Sequence, residues 1–138
     1  MEWTISSEHE LEAVADALAP CLSQGDIVAL NGTLGVGKTT FVRALVKVLN
    51  KKKVDVPSPT FTLLQIYDTP HFTLYHFDFY RLKTPEEAYE IGIEDAFAEG
   101  VSMIEWPDKI GSLLPKKHKT ISFTILPDGK RHIIAEGF

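Results

Sequence analysis

The residues best equipped for chemistry are Gly32-Thr33-Leu34-Gly35-Val36-Gly37-Lys38-Thr39, a full G-x-x-x-x-G-K-[ST] pattern. Glycines let a backbone curl until successive N–H groups point inward, and these amides with the following helix N-terminus form an anion site. In such a loop the lysine, Lys38, reaches the β- and γ-phosphates of a nucleotide, and the Thr39 hydroxyl ligates Mg²⁺. Gly32 through Thr40 are therefore read as nucleotide-binding positions. The flanks agree: Ile27-Val28-Ala29-Leu30 suits a buried parallel strand, and Thr39–Val46 begins a helix.

Phosphate capture is not hydrolysis. Mg²⁺ also needs a carboxylate, and the attacking water needs a group to orient it. Such acids sit at the C-terminal ends of apolar strands beside the loop strand. Asp78 after Leu74-Tyr75-His76-Phe77 and Glu105 after Val101-Ser102-Met103-Ile104 both qualify, and spacing does not choose between them. Thr60, in the Pro-stiffened stretch Val56-Pro57-Ser58-Pro59-Thr60, is placed to sense a γ-phosphate as switch loops do. A turn hydroxyl bonded to backbone explains it equally well. Trp106 reads by default as core, with a ring beside the nucleotide or an interface anchor as alternatives. His71 and His76 lack metal-ligand spacing and read as structural or exposed.

The elements that must position these residues follow from the rest of the chain. Ser7-Glu8-His9-Glu10 fits a capping box, and Leu11, Val14, Ala15, Leu18 and Leu22 continue as one apolar helix face ending near Gly25. The loop helix runs to about Asn50, with Lys51-Lys52-Lys53 as a solvated end favoured by the helix dipole. Phe61–Tyr67 and Phe72–Asp78, joined at Asp68-Thr69-Pro70-His71, form a hairpin, which makes the sheet mixed. Thr84-Pro85-Glu86-Glu87 starts a helix that stops near Gly92, and Glu94–Ala98 adds another turn. Thr120–Leu126 and His132–Ala135 form a second hairpin about Asp128-Gly129, with Lys116-Lys117-His118-Lys119 before it as a solvated loop. The expected architecture over 1–138 is one α/β domain of P-loop NTPase fold. Its sheet is mixed and mainly parallel, with antiparallel hairpin strands and helices on both faces.

Composition narrows the function. A net charge of −5 argues against a general nucleic-acid binder, whose phosphate contacts need concentrated Lys and Arg, so any role near RNA goes through a partner. No run approaches the ~20 apolar residues of a membrane span, and Met1-Glu2-Trp3-Thr4-Ile5 lacks a signal core, so a cytoplasmic protein is expected. The single cysteine, Cys21, excludes an internal disulfide and a Cys-based zinc site. At helical spacing from Leu18 it is expected to be buried.

Four pieces in register resemble the TsaE (YjeE) family of bacterial P-loop ATPases. They are Gly32–Thr40 (G-T-L-G-V-G-K-T-T), Ser58-Pro59-Thr60-Phe61, His76-Phe77-Asp78-Phe79-Tyr80-Arg81-Leu82 and Glu105-Trp106-Pro107. Thr33 and Val36 depart from the Asp and Ala usual there; backbone amides do most of the phosphate work, so binding is expected to survive. The resemblance implies ATP binding and weak hydrolysis in support of threonylcarbamoylation of the tRNA adenosine next to the anticodon. Homologues of TsaD and TsaB are the implied partners, with TsaD performing the transfer and tRNA met only through that complex. It further implies Mg²⁺ on Thr39 and Glu105, Asp78 as a further acid near the γ-phosphate, and Glu8 and Arg131 close to the nucleotide. Homodimerisation stays open.

Two other classes compete. A small-molecule or nucleoside kinase surrounds the transferred phosphoryl with cations, yet the only arginines are Arg43, Arg81 and Arg131, with no Arg-rich lid. A GTPase is suggested by Asp108-Lys109-Ile110-Gly111, a D-x-x-G match, but no N-K-x-D segment follows to read guanine.

Overall fold

The computed structural model describes residues 1–51 and 63–138. Its strands are β1 (Glu2–Ile5), β2 (Ile27–Asn31), β3 (Leu64–Asp68), β4 (Thr73–Asp78), β5 (Val101–Glu105), β6 (Lys119–Ile125) and β7 (Arg131–Glu136). The helices are α1 (Glu10–Leu18), α2 (Lys38–Asn50), α3 (Glu87–Glu90) and α4 (Ile93–Glu99). Among the described residues the strands form one sheet in the order β1-β7-β6-β2-β5-β4-β3.

Apolar runs without alternation must be covered on both faces, and the two that have this pattern take the centre. β5 is buried throughout, and β2 is buried except for Asn31. The neighbouring strands β6, β2, β5 and β4 run parallel. Antiparallel partners finish each side: β3 on β4, and β7 with β1 beyond β6. Both expected hairpins are present, and the sheet is mixed with a parallel centre.

Helices cover both faces. Leu11 and Leu18 of α1 and Phe41 and Leu45 of α2 pack on the face that carries Val28, Leu30, Met103 and Ile121. Ile93 and Ala96 of α4, with Ile110, cover the opposite face at Ile27, Phe77 and Ile104. Alternation along β4 sends Leu74 to the α2 side and Tyr75 and Phe77 to the other.

Three details of the first fifty residues differ from expectation. Cys21 is exposed, not buried. Pro20 has no N–H to continue the ladder, so α1 gives way to a 3₁₀ turn at Ala19–Cys21 and the helical phase counted from Leu18 is lost. The Glu10 carboxylate accepts from the N–H and hydroxyl of Ser6 (2.7 and 3.2 Å) in place of Ser7, because residues 7–9 wind tightly with i→i+3 bonds before α1 begins. Finally, Glu2–Ile5 is an edge strand that four residues with little alternation did not announce. The helix expected from Thr84 starts later, at Glu87: Thr84–Glu86 form i→i+3 turns, and Glu87 Oε1 accepts from the Thr84 N–H at 3.1 Å.

Candidate nucleotide site

Strand directions decide what meets what. β2, β4, β5, β6 and, through two antiparallel steps, β1 all point the same way, so their C-terminal ends share one sheet edge. β2 delivers the glycine loop there, β5 delivers Glu105, and β4 delivers Asp78. β7 runs the other way and begins there with Arg131. Ligands of open α/β sheets bind at this edge.

The loop's shape depends on two glycines. Gly37, the residue before α2, has φ +116°, a conformation that side chains disfavour. Gly32 has φ +149°, and a Cβ there would lie 2.7 Å from Val36 Cγ1 and 3.0 Å from the Phe123 carbonyl oxygen. Val36 is the loop's anchor in the core, fully buried, whereas Leu34 at the tip is 68% exposed. Thr33 is exposed and offers its carbonyl to the Val36 N–H (3.2 Å), while Gly35 is exposed beside it. Thr40 lies in the first turn of α2.

Lys38 is almost wholly buried although charged. Its ammonium donates to the Gly32 carbonyl at 2.7 Å and stands 3.9 Å from the centroid of the Trp106 ring, a cation–π distance. Burial pulls its pKa below the ordinary lysine value, against the opposing charges of Glu105, Asp78 and Asp108. Trp106 is thus half-buried, packed on the edge of the core around Phe77 and Ile104 and beside the loop lysine, with Tyr80 tilted against it at 5.0 Å. The αL backbone that ends β5 (φ +59° at Trp106) turns the ring out of the sheet.

Glu105 is the buried acid. Its Oε2 accepts from the Thr39 hydroxyl at 2.8 Å and lies 2.6 Å from His76 Nε2. Asp78 is its direct neighbour across the β4–β5 pairing, half-buried, and accepts from the Tyr80 N–H at 3.0 Å. Burial raises the Asp78 pKa above the ordinary aspartate value; the Tyr80 bond opposes this, and the Glu105 charge adds to it. Asp78 also lines a cleft of about 180 Å³ with Leu34, Leu63, Tyr80 and Arg81.

Arg131 borders the loop, since a Cβ on Gly37 would lie 3.8 Å from Arg131 Nη1. Glu8 is exposed in the turn between β1 and α1, at the same sheet edge, with no side-chain contact to the loop among the described bonds. Thr60 lies outside the described residues. The structure therefore brings together Lys38, Thr39, Asp78, Glu105 and Arg131. His76 and Trp106 join them, and the sequence signal for His76 was its two-residue spacing from Asp78, which puts both on one face of β4.

The donor set fits a magnesium nucleotide. Mg²⁺ takes hard oxygens, typically one or two carboxylates with the rest from phosphates and water. A Thr hydroxyl hydrogen-bonded to one carboxylate at the foot of an amide cradle matches that demand. Among the described residues no group of three or more His, Cys, Asp and Glu side chains forms an all-protein metal cage.

A glycine loop between the central strand and α2, with acids on the two next strand ends, defines the P-loop NTPase class of α/β proteins. Residues 5–133 match the family model described as "Threonylcarbamoyl adenosine biosynthesis protein TsaE". The chain is 47% identical to the Rickettsia bellii tRNA threonylcarbamoyladenosine biosynthesis protein TsaE over 92% of this chain and 88% of that one. The Bacillus subtilis protein of the same name is 33% identical over 96% and 83%. A crystal structure of Bacillus subtilis YdiB superposes with a TM-score of 0.80 at 29% identity, covering 96% of this chain and 82% of that one. The chain belongs to the TsaE family, and its role lies in tRNA threonylcarbamoyladenosine biosynthesis.

Proposed function

We propose that the chain is a Mg²⁺-dependent, slowly hydrolysing ATPase that regulates a complex of TsaB and TsaD homologues during threonylcarbamoylation of the tRNA adenosine next to the anticodon. The observation that carries this reading is the bond from Thr39 to Glu105 at the foot of the glycine loop, with Lys38 buried alongside. The loop amides and Lys38 would bind the phosphate chain, and Thr39 and Glu105 would hold Mg²⁺. Bound there, Mg²⁺ supplies charge neutralisation for the phosphates. Asp78, with its pKa raised by burial, is the group available to orient an attacking water, and Arg131 is a second cation at the loop.

A regulatory role suits the molecule better than transfer chemistry. The net charge is −5, which leaves tRNA contact to the partners, and few arginines surround the phosphate site. Among the described residues no helix is long and apolar enough to cross a membrane, and we assign the activity to the cytoplasm. Co-purification with TsaB and TsaD homologues in ATP and in ADP, followed by a tRNA modification assay, tests the reading. Association that depends on which nucleotide is present is expected. Association indifferent to nucleotide, or none, would contradict it.

A further inference from the structure

His76 is fully buried on β4, yet it is polar. It pairs with Met103 of β5, so Glu105 is its diagonal neighbour on the same sheet face, within reach of a long side chain. Nε2 lies 2.6 Å from Glu105 Oε2, the same oxygen that accepts from Thr39 at 2.8 Å. On the ring's other side, Nδ1 is buried with no hydrogen-bond partner among the described residues. An imidazole satisfied on one side only is a poor choice for a core position, where a leucine would pack without an orphan nitrogen. Buried groups that break this rule concentrate at functional sites.

We propose that His76 is a positioning residue for the metal-binding carboxylate: its Nε2–H pins Glu105 Oε2 against Thr39, so that Glu105 meets Mg²⁺ in one fixed orientation. The proposal rests on the Mg²⁺–ATP reading above. Outer-sphere donors of this kind fix a ligand's rotamer and tune its metal affinity. With Thr39 on α2 and His76 on β4, the carboxylate is held from two different elements.

The test is ATP binding by calorimetry across a Mg²⁺ titration and again in EDTA, on the full chain and three variants. His76→Leu removes the donor and fills the space. It is expected to raise the half-saturating Mg²⁺ concentration by about tenfold or more, with ATP affinity in EDTA unchanged. His76→Asn, whose shorter amide falls short of Oε2, should show the same loss and carries the test if the leucine variant misfolds. His76→Gln, whose amide N–H can occupy the place of Nε2–H, should recover wild-type Mg²⁺ dependence. An unchanged Mg²⁺ dependence in both His76→Leu and His76→Asn, or equal losses with and without Mg²⁺, would overturn the positioning role while leaving the ATPase reading intact. ATP binding by the wild type that ignores Mg²⁺ would overturn both.

Discussion

At the scale of single residues, the site is a contest between burial and charge. Lys38, Asp78 and Glu105 sit close enough for each to feel the others, and burial pushes Lys38 and Asp78 toward neutrality. Glu105→Ala should weaken Mg²⁺-supported ATP turnover by about tenfold or more while Mg²⁺-free ATP binding survives, since a ligand matters at least as much as its outer sphere. Steady-state kinetics against Mg²⁺ checks this; equal losses in both would make Glu105 structural. Asp78 gives a pH signature. A carboxyl whose pKa is raised on folding binds its proton more tightly in the folded chain, so the stability from protonation is present below its ordinary value of 3.8 and lost as pH rises through the raised one. Asp78→Asn, neutral at every pH, should therefore unfold at higher urea than wild type at pH 7, the gap narrowing as pH falls through the carboxylate range. An equal or lower midpoint at pH 7 would contradict it. From the sequence, Asp78 and Glu105 were legible as strand-end acids, but not their inequality, which depends on depth. Trp106 was legible only as one of three alternatives, and His76 was missed because spacing shows which face a residue takes, not which neighbour crosses from the next strand.

Among the elements, the strands and helices follow local rules nearly everywhere that the rules are strong. The apolar runs became β2 and β5, the Asp68–His71 turn joined β3 to β4, and the loop helix ended at Asn50 as read. The apolar periodicity runs on past Pro20, where the local proline rule ends the helix, and β1 gains its order from pairing with β7, which sequence separation hides. The Val56–Thr60 loop, with Thr60 as its proposed sensor, lies outside the described residues. One close approach fixes the acid-bearing strands: a Cβ on Gly100, at the entry to β5, would lie 2.2 Å from the Thr73 carbonyl oxygen and 2.7 Å from Tyr75 Cε2. Gly100 has an extended φ of −145°, so the constraint is steric and not conformational. Gly100→Ala should cost about 1–3 kcal/mol of unfolding free energy through overpacking between β4 and β5. A denaturation midpoint equal to wild type would show that the strands can part without loss.

For the whole molecule, the sheet order matters more than any one motif. Among the described residues, a seven-stranded sheet with a parallel centre carries the glycine loop, both acids and Arg131 to one edge, while α1 and α2 close one face and α4 the other. The class of fold was legible because hairpin turns and apolar runs report on neighbours close in sequence. The placement of β1 beyond β7 was not, because it joins the two ends of the chain. Membership of the TsaE family supplies the pathway, tRNA threonylcarbamoyladenosine biosynthesis, which no geometry of the loop specifies. The central claim is that this edge binds and hydrolyses Mg²⁺–ATP through Lys38. It is tested most directly by phosphate release from ATP with TsaB and TsaD homologues present, comparing wild type with Lys38→Ala. The expected result is Mg²⁺-dependent release by the wild type and none above background by Lys38→Ala, because Lys38 is the cation the loop itself brings to the β- and γ-phosphates. Undiminished release by Lys38→Ala, or no release by the wild type, would contradict the account.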